Sequence, residues 1–129
     1  MVFIGNQSDD KTKVCFMGGL HGNEPASTEG MLFLINNLLK EDSLKILLNN
    51  LNIAIIPMAN IDGYEKQSRY AANGQDLNRD HTKLSNPETN AVKAAISDFS
   101  PDVMVDFHEY KPYRVDFVNF GEYGTTSMY

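Results

Sequence analysis

A single cysteine, Cys15, stands in the whole chain, so no disulfide can form within it. It lies inside an apolar run, where a thiol reads as a small buried packing group. No apolar stretch approaches the roughly 18 residues of a membrane-spanning helix. The longest, residues 31–39 (MLFLINNLL), is broken by two asparagines and reads as a buried helix. Basic residues are in deficit: 11 Lys and Arg stand against 17 Asp and Glu, for a net charge of −6. That balance argues against a nucleic-acid or membrane-surface partner. Repeats, low-complexity tracts and like-charge tails are absent as well, and no basic-then-apolar leader opens the chain. What remains is 129 residues with 42% hydrophobic content, about one domain's length with enough apolar side chains for a core.

The pattern of that content alternates between strand and helix. Residues 12–20 (TKVCFMGGL) form a continuous apolar run closed by paired glycines, as a strand buried on both faces requires. Pro25 then sits where a first helical turn accepts it, and apolar residues recur at helical spacing to about Lys40. DSLKILLNN predicts a short second helix, and residues 51–60 (LNIAIIPMAN) a second strand that ends or bulges at Pro57. Residues 60–86 are polar with little periodicity, a length that signals a functional loop or disorder. A helix follows over residues 86–99, then a strand over 101–110, and residues 114–120 alternate like a fourth. VFIGN at the start resembles the remnant of one more strand. The order predicts an α/β fold with a mixed, largely parallel sheet and helices on both faces.

Ligands of such sheets collect beyond the carboxyl ends of the strands. Here those ends carry HGNE, NIDG and FHEY. His21 and Glu24 share one strand-end turn, and His108 ends a different strand. Two histidines and a glutamate leave a fourth position open on a tetrahedral zinc ion. Asp106, two positions before His108, is a candidate to orient that ring. H-x-x-E alone also fits a surface turn, and a lone histidine fits a salt bridge; the three residues together at strand ends favour a metal site. Arg69, Asn78 and Arg79 lie in the long polar segment, where arginine's planar fork suits a carboxylate or an oxyanion. Solvated surface charge is the plainer reading of each taken alone.

HGNE, NIDGYE, Arg69, DLNR and DFHE, in that order, resemble the motif set of the zinc metallocarboxypeptidases, the relatives of carboxypeptidase A. The resemblance runs from about Lys13 to about Tyr110. It implies Zn2+ held by His21, Glu24 and His108, the ligand set carboxypeptidase A itself uses. It implies that Arg69 polarises the scissile carbonyl, and that Asn78 and Arg79 grip the α-carboxylate of a peptide with a free C-terminus. Asn60, Asp62 and Gly63 match a structural turn, with Asp62 the one expected to support the arginine side. The family's general base, a glutamate on a later strand, and its substrate-capping tyrosine have no matching position. The base is therefore expected beyond residue 129, and the chain is expected to be a partial catalytic domain with exposed sheet edges that favour self-association.

Glu109 should face away from His108 on a continuing strand, which suits a salt bridge or a pocket wall. Tyr110 is a candidate pocket residue, and Glu122 has no supporting context. DFHEY departs from the digestive mammalian type, where serine follows the last zinc histidine, and points to a bacterial-like branch. Two rival functions remain: an N-acyl amino acid amidohydrolase of the aspartoacylase type, and an inactive metal- or peptide-binding fragment. NIDGYE favours the peptidase over the first, and an intact ligand set favours it over the second.

Overall fold

The computed structural model describes residues 1–109. Four strands, β1 (Val2–Ile4), β2 (Thr12–Met17), β3 (Leu51–Ile56) and β4 (Val103–Asp106), form one sheet in the order β1-β3-β2-β4. β2 runs parallel to both β3 and β4, and β1 pairs antiparallel at the edge. The expected mixed, largely parallel sheet is therefore present. VFIGN does carry a strand, while residues 114–120, Tyr110 and Glu122 lie outside the described residues.

Alternation along the central strands explains why helices flank both faces. Cys15, Met17, Ala54 and Ile56 point to one side, where Val92 and Phe99 of α4 (Pro87–Phe99) cover them. Phe16, Ile53 and Ile55 point to the other, against Met31 and Leu38 of α1 (Pro25–Lys40). Cys15 is fully buried, as its surroundings in the sequence imply. Each large side chain so buried contributes about 2 kcal/mol. Truncating Ile55, with no exposed surface, to alanine would cost about 2–5 kcal/mol.

The strands are shorter than the apolar runs suggest. β2 stops at Met17 because Gly18 and Gly19 turn away, and β3 stops at Ile56 immediately before Pro57. β4 covers only Val103–Asp106, so His108 and Glu109 stand past its end. DSLKILLNN splits into α2 (Asp42–Lys45) and a 3-10 turn, Ile46–Asn49. The polar segment 60–86 is not a featureless loop: it holds α3 (Ile61–Glu65) and a 3-10 turn over Leu77–Arg79. Its order comes from polar anchors, which hydrophobic periodicity cannot register. No helix among the described residues is long and apolar enough to cross a membrane.

The topology places a crevice. The chain steps from β2 outward to β3, then crosses back over β2 to lay β4 on its other side. The crossover through α1 covers one face and the crossover through α4 the other. The crossovers leaving β2 and β3 therefore run over opposite faces of the sheet, and ligands of open α/β sheets collect beyond the carboxyl ends of such strands.

Candidate metal centre

The turn after β2 is built by backbone approach. Gly19 adopts φ +67°, and a Cβ there would lie 2.5 Å from Thr28 Oγ1. Its amide donates to Ser27 Oγ at 2.9 Å, tying the turn to the start of α1. Gly22 lies so close to the next strand's turn that a Cβ would sit 1.8 Å from the Gly63 carbonyl carbon. Asn60, fully buried, holds that second turn: its Oδ1 accepts from Gly63 N at 2.9 Å and its Nδ2 donates to the Leu20 carbonyl at 3.3 Å. HGNE and NIDG thus fold as one packed unit, and each motif glycine has a steric reason.

That unit presents His21, 2% exposed, and Glu24, 8% exposed. His108 arrives from β4, whose final ladder bond runs from Phe107 N to the Met17 carbonyl at 2.9 Å. Nδ1 of His21 lies 2.8 Å from Glu24 Oε1, and Nδ1 of His108 lies 2.8 Å from Glu24 Oε2. One potential ligand atom from each of the three residues falls within 4.8 Å of the others. The outer nitrogens are also committed: Nε2 of His21 faces Asp76 Oδ1 at 3.2 Å, and Nε2 of His108 faces Asp106 Oδ2 at 3.1 Å. With a cation bound, a carboxylate holding each Nε2–H would leave each Nδ1 as the lone-pair nitrogen. Two such nitrogens converging on one carboxylate are a donor set that fits a zinc ion.

Without a cation His108 holds a proton. Hydrogen bonds to Asp106 and Glu24 raise the His108 pKa to about 10, against the pull of burial. Burial pushes Glu24 up, but bonds from His108, His21 and the Glu109 amide outweigh it and hold the carboxyl at about 2. The arrangement therefore favours a positive charge between the two histidines.

Beside this cluster, Asp76 divides its carboxylate. Oδ1 takes His21 Nε2 and the Asn78 amide, while Oδ2 takes Arg69 through both Nε and Nη2 at 2.9 Å. Burial pushes Asp76 up, but the bonds from Arg69 and His21 overcome it and hold the carboxyl below its usual range. Arg69 also lies 3.8 Å from Glu24. Its support thus comes from Asp76, not from Asp62, which is exposed on α3 and forms no hydrogen bond or salt bridge to Arg69 among the described residues. Asp76 stands inside DLNR, and its ability to bond the amide two residues on was the available signal.

Asn78 and Arg79 occupy the 3-10 turn that Asp76 caps. Asp80, 3% exposed, anchors the turn by accepting from the Ser85 and Asn86 amides and the Ser85 and Thr89 hydroxyls. The two hydroxyls foremost hold its carboxyl well below the usual range. Arg79 is exposed, forms no salt bridge among the described residues, and lines a cavity of about 220 Å³ with Gln75, Asp76, Lys83 and Ser85. Larger concavities, of about 420 Å³ beside α4 and about 450 Å³ near Lys13 and Asp98, lie away from these residues. Chemistry, not volume, marks the site.

Glu109 does not behave as a continuing strand predicts, because β4 has ended at Asp106. Its carboxylate accepts from the Ala26 amide at 3.1 Å and forms no salt bridge among the described residues.

An α/β sheet that gathers two histidines and a glutamate beyond its strand ends offers the donor set of a metal centre. The chain belongs to the zinc carboxypeptidase family, whose pattern it matches over residues 1–119. Carboxypeptidase 2 of Trichophyton rubrum is 38% identical over 108 residues, covering 83% of this chain and 20% of that protein. A probable carboxypeptidase 2 of Arthroderma benhamiae matches to the same extent. The fold is similar to that of a metallo-carboxypeptidase from Burkholderia cenocepacia, with TM-score 0.76, 24% identity, and coverage of 84% of this chain and 32% of that one. The chain thus spans about a fifth of the length of the curated relatives it matches. These relatives are carboxypeptidases, not deacylases.

Proposed function

We propose that this chain forms the zinc-binding and carboxylate-reading part of a metallocarboxypeptidase, hydrolysing the peptide bond next to a free C-terminus. The observation that carries this reading is the convergence of two Nδ1 atoms on the Glu24 carboxylate, each ring tied from behind to a second carboxylate. His21, Glu24 and His108 would hold the ion. The chemistry a zinc ion supplies there is Lewis acidity toward a carbonyl and activation of a water.

The remaining residues bind and orient. Arg69, steadied by Asp76, offers a guanidinium beside the cluster for the oxyanion that develops on the scissile carbonyl. Arg79 offers an exposed planar fork, with Asn78 adjacent, for the substrate's α-carboxylate. Proton transfer needs a further carboxylate. Glu24, Asp76 and Asp106 are each committed to a histidine, and Glu109 to a helix amide. We therefore assign the general base to a residue outside the described 109.

The test is zinc content of the purified protein after dialysis into metal-free buffer, with His108→Ala beside it. Near one zinc per wild-type chain and little in a folded variant is the expected result. Equal zinc in both would remove His108 from the ligand set and sink the assignment.

A further inference from the structure

We propose that Glu109 is a positioning residue for the metal centre, clamping the end of β4 to the start of α1 so that His108 and Glu24 meet; the inference rests on reading those two as ligands.

Helix α1 opens without a cap of its own. Its boundary residue is Glu24, whose side chain makes no capping bond, because both oxygens face histidines instead. The amides of the first helical turn therefore look for acceptors elsewhere. Pro25, at the first position, has no amide to satisfy. Ala26 is next, and its amide donates to Glu109 Oε2 at 3.1 Å, from a residue 83 positions away in sequence. A carboxylate at a helix start is also the favourable sign of charge.

A second bond ties the same residue to the helix start. The Glu109 backbone N–H donates to Glu24 Oε2 at 3.1 Å, the same oxygen that faces His108 Nδ1. Glu109 thus makes two bonds to the start of α1, its amide to the Glu24 side chain and its carboxylate to the Ala26 amide, so that it supplies the cap that Glu24 does not. These bonds bracket His108. On one side Phe107 N is fixed to the Met17 carbonyl at 2.9 Å; on the other Glu109 is fixed to Glu24 and Ala26. A single residue, His108, lies between the two anchors. Loss of the Glu109 carboxylate would remove its bond to the Ala26 amide and loosen the backbone that carries the ligand.

The experiment uses the intact protein, with cobalt(II) as a spectroscopic stand-in for zinc, and compares wild type, Glu109→Ala and Glu109→Gln. Glutamine keeps an acceptor oxygen for the Ala26 amide; alanine does not. The expected result for Glu109→Ala is about a tenfold to hundredfold weaker cobalt Kd, an altered d–d absorption spectrum and faster hydrogen exchange at the Ala26 amide. Glu109→Gln should recover most of the affinity and the wild-type spectrum. Wild-type Kd and spectrum in Glu109→Ala, with a lower Tm as the sole change, would overturn the positioning role. A Glu109→Gln protein that binds cobalt normally yet loses about a hundredfold or more in turnover would overturn it too, making Glu109 a proton-transfer group. Failure of the wild type to bind cobalt would overturn the ligand reading itself, and is seen before any variant is compared.

Discussion

Glu24 and His108 are 84 positions apart in sequence and 2.8 Å apart in the fold, joined where β2 and β4 deliver their ends to one crevice. The pair makes stability of the metal-free protein depend on pH in a defined direction. His108 has its pKa raised from 6.5 to about 10, so its contribution is complete below the lower value and is lost as pH rises through the upper one. Glu24 is lowered from 4.5 to about 2, so its contribution is present above 4.5 and is lost as pH falls toward 2. Thermal unfolding in chelator should therefore give a higher Tm at about pH 5.5 than at about pH 9.5. Zinc-loaded protein should lose that alkaline decline, since the ion takes the place of the proton. An equal Tm at both pH values in chelator would show that His108 carries no stabilising proton.

Asp76 serves His21 and Arg69 at once, so a single substitution should report on both. In Asp76→Asn the shape is kept, but the charge that holds the His21 Nε2–H and both Arg69 contacts is lost. Metal affinity should fall by about tenfold to a hundredfold. Asp62→Asn, on the exposed face of α3, should bind metal like the wild type. A metal titration in which Asp62→Asn weakens binding and Asp76→Asn does not would reverse the assignment of support to Asp76.

Two glycines should respond to alanine with opposite signs. At Gly22 an added methyl meets the Gly63 backbone at 1.8 Å, and backbone on backbone cannot yield cheaply. Gly22→Ala should cost about 3 kcal/mol, the upper end of ordinary overpacking, and should loosen the turn that carries His21. At Gly30, inside α1, an added methyl meets nothing within 4 Å. Gly30→Ala should stabilise by about 0.5–1 kcal/mol through helix propensity. Denaturant melts of the two variants would settle it; similar effects in both would mean that Gly22 has room which its contacts with Gly63 deny.

The fold was legible wherever burial dictated the residue. The apolar runs of β2 and β3 and the helical spacing of α1 are written in apolar side chains, α4 in its Asn-Pro start and alanines, and the sheet follows from their order. The cluster of His21, Glu24 and His108 was legible for another reason: these residues are chemically unusual at strand ends. Asp76, Asp80 and Glu109 were not, because each acts through a hydrogen bond to a partner that no periodicity announces. Asp80 gathers four donors from residues 85–89, and those bonds order a stretch that reads as loop. Glu109 escaped because strand alternation was extended past Asp106, where the strand in fact stops. Local pattern finds what is buried by hydrophobicity; it misses what is positioned by a distant polar partner.

Arg79 offers the sharpest test of substrate class. Its guanidinium is exposed beside a small polar cavity, and its turn is held by Asp76 and Asp80 without its help. Arg79→Ala should therefore leave Tm unchanged within about 0.5 kcal/mol of stability. If the fork holds the substrate's terminal carboxylate, KM for peptides with a free C-terminus should rise about tenfold to a hundredfold, the worth of a charged hydrogen-bond pair. Peptides with an amidated C-terminus, already poor substrates, should change little. The readout is the ratio of kcat/KM for the free and amidated forms of one peptide, in wild type and variant. Collapse of that ratio toward one would make Arg79 the reader of the carboxylate. A parallel loss on both substrates would instead assign Arg79 to the general charge of the site and leave C-terminal selectivity to other residues.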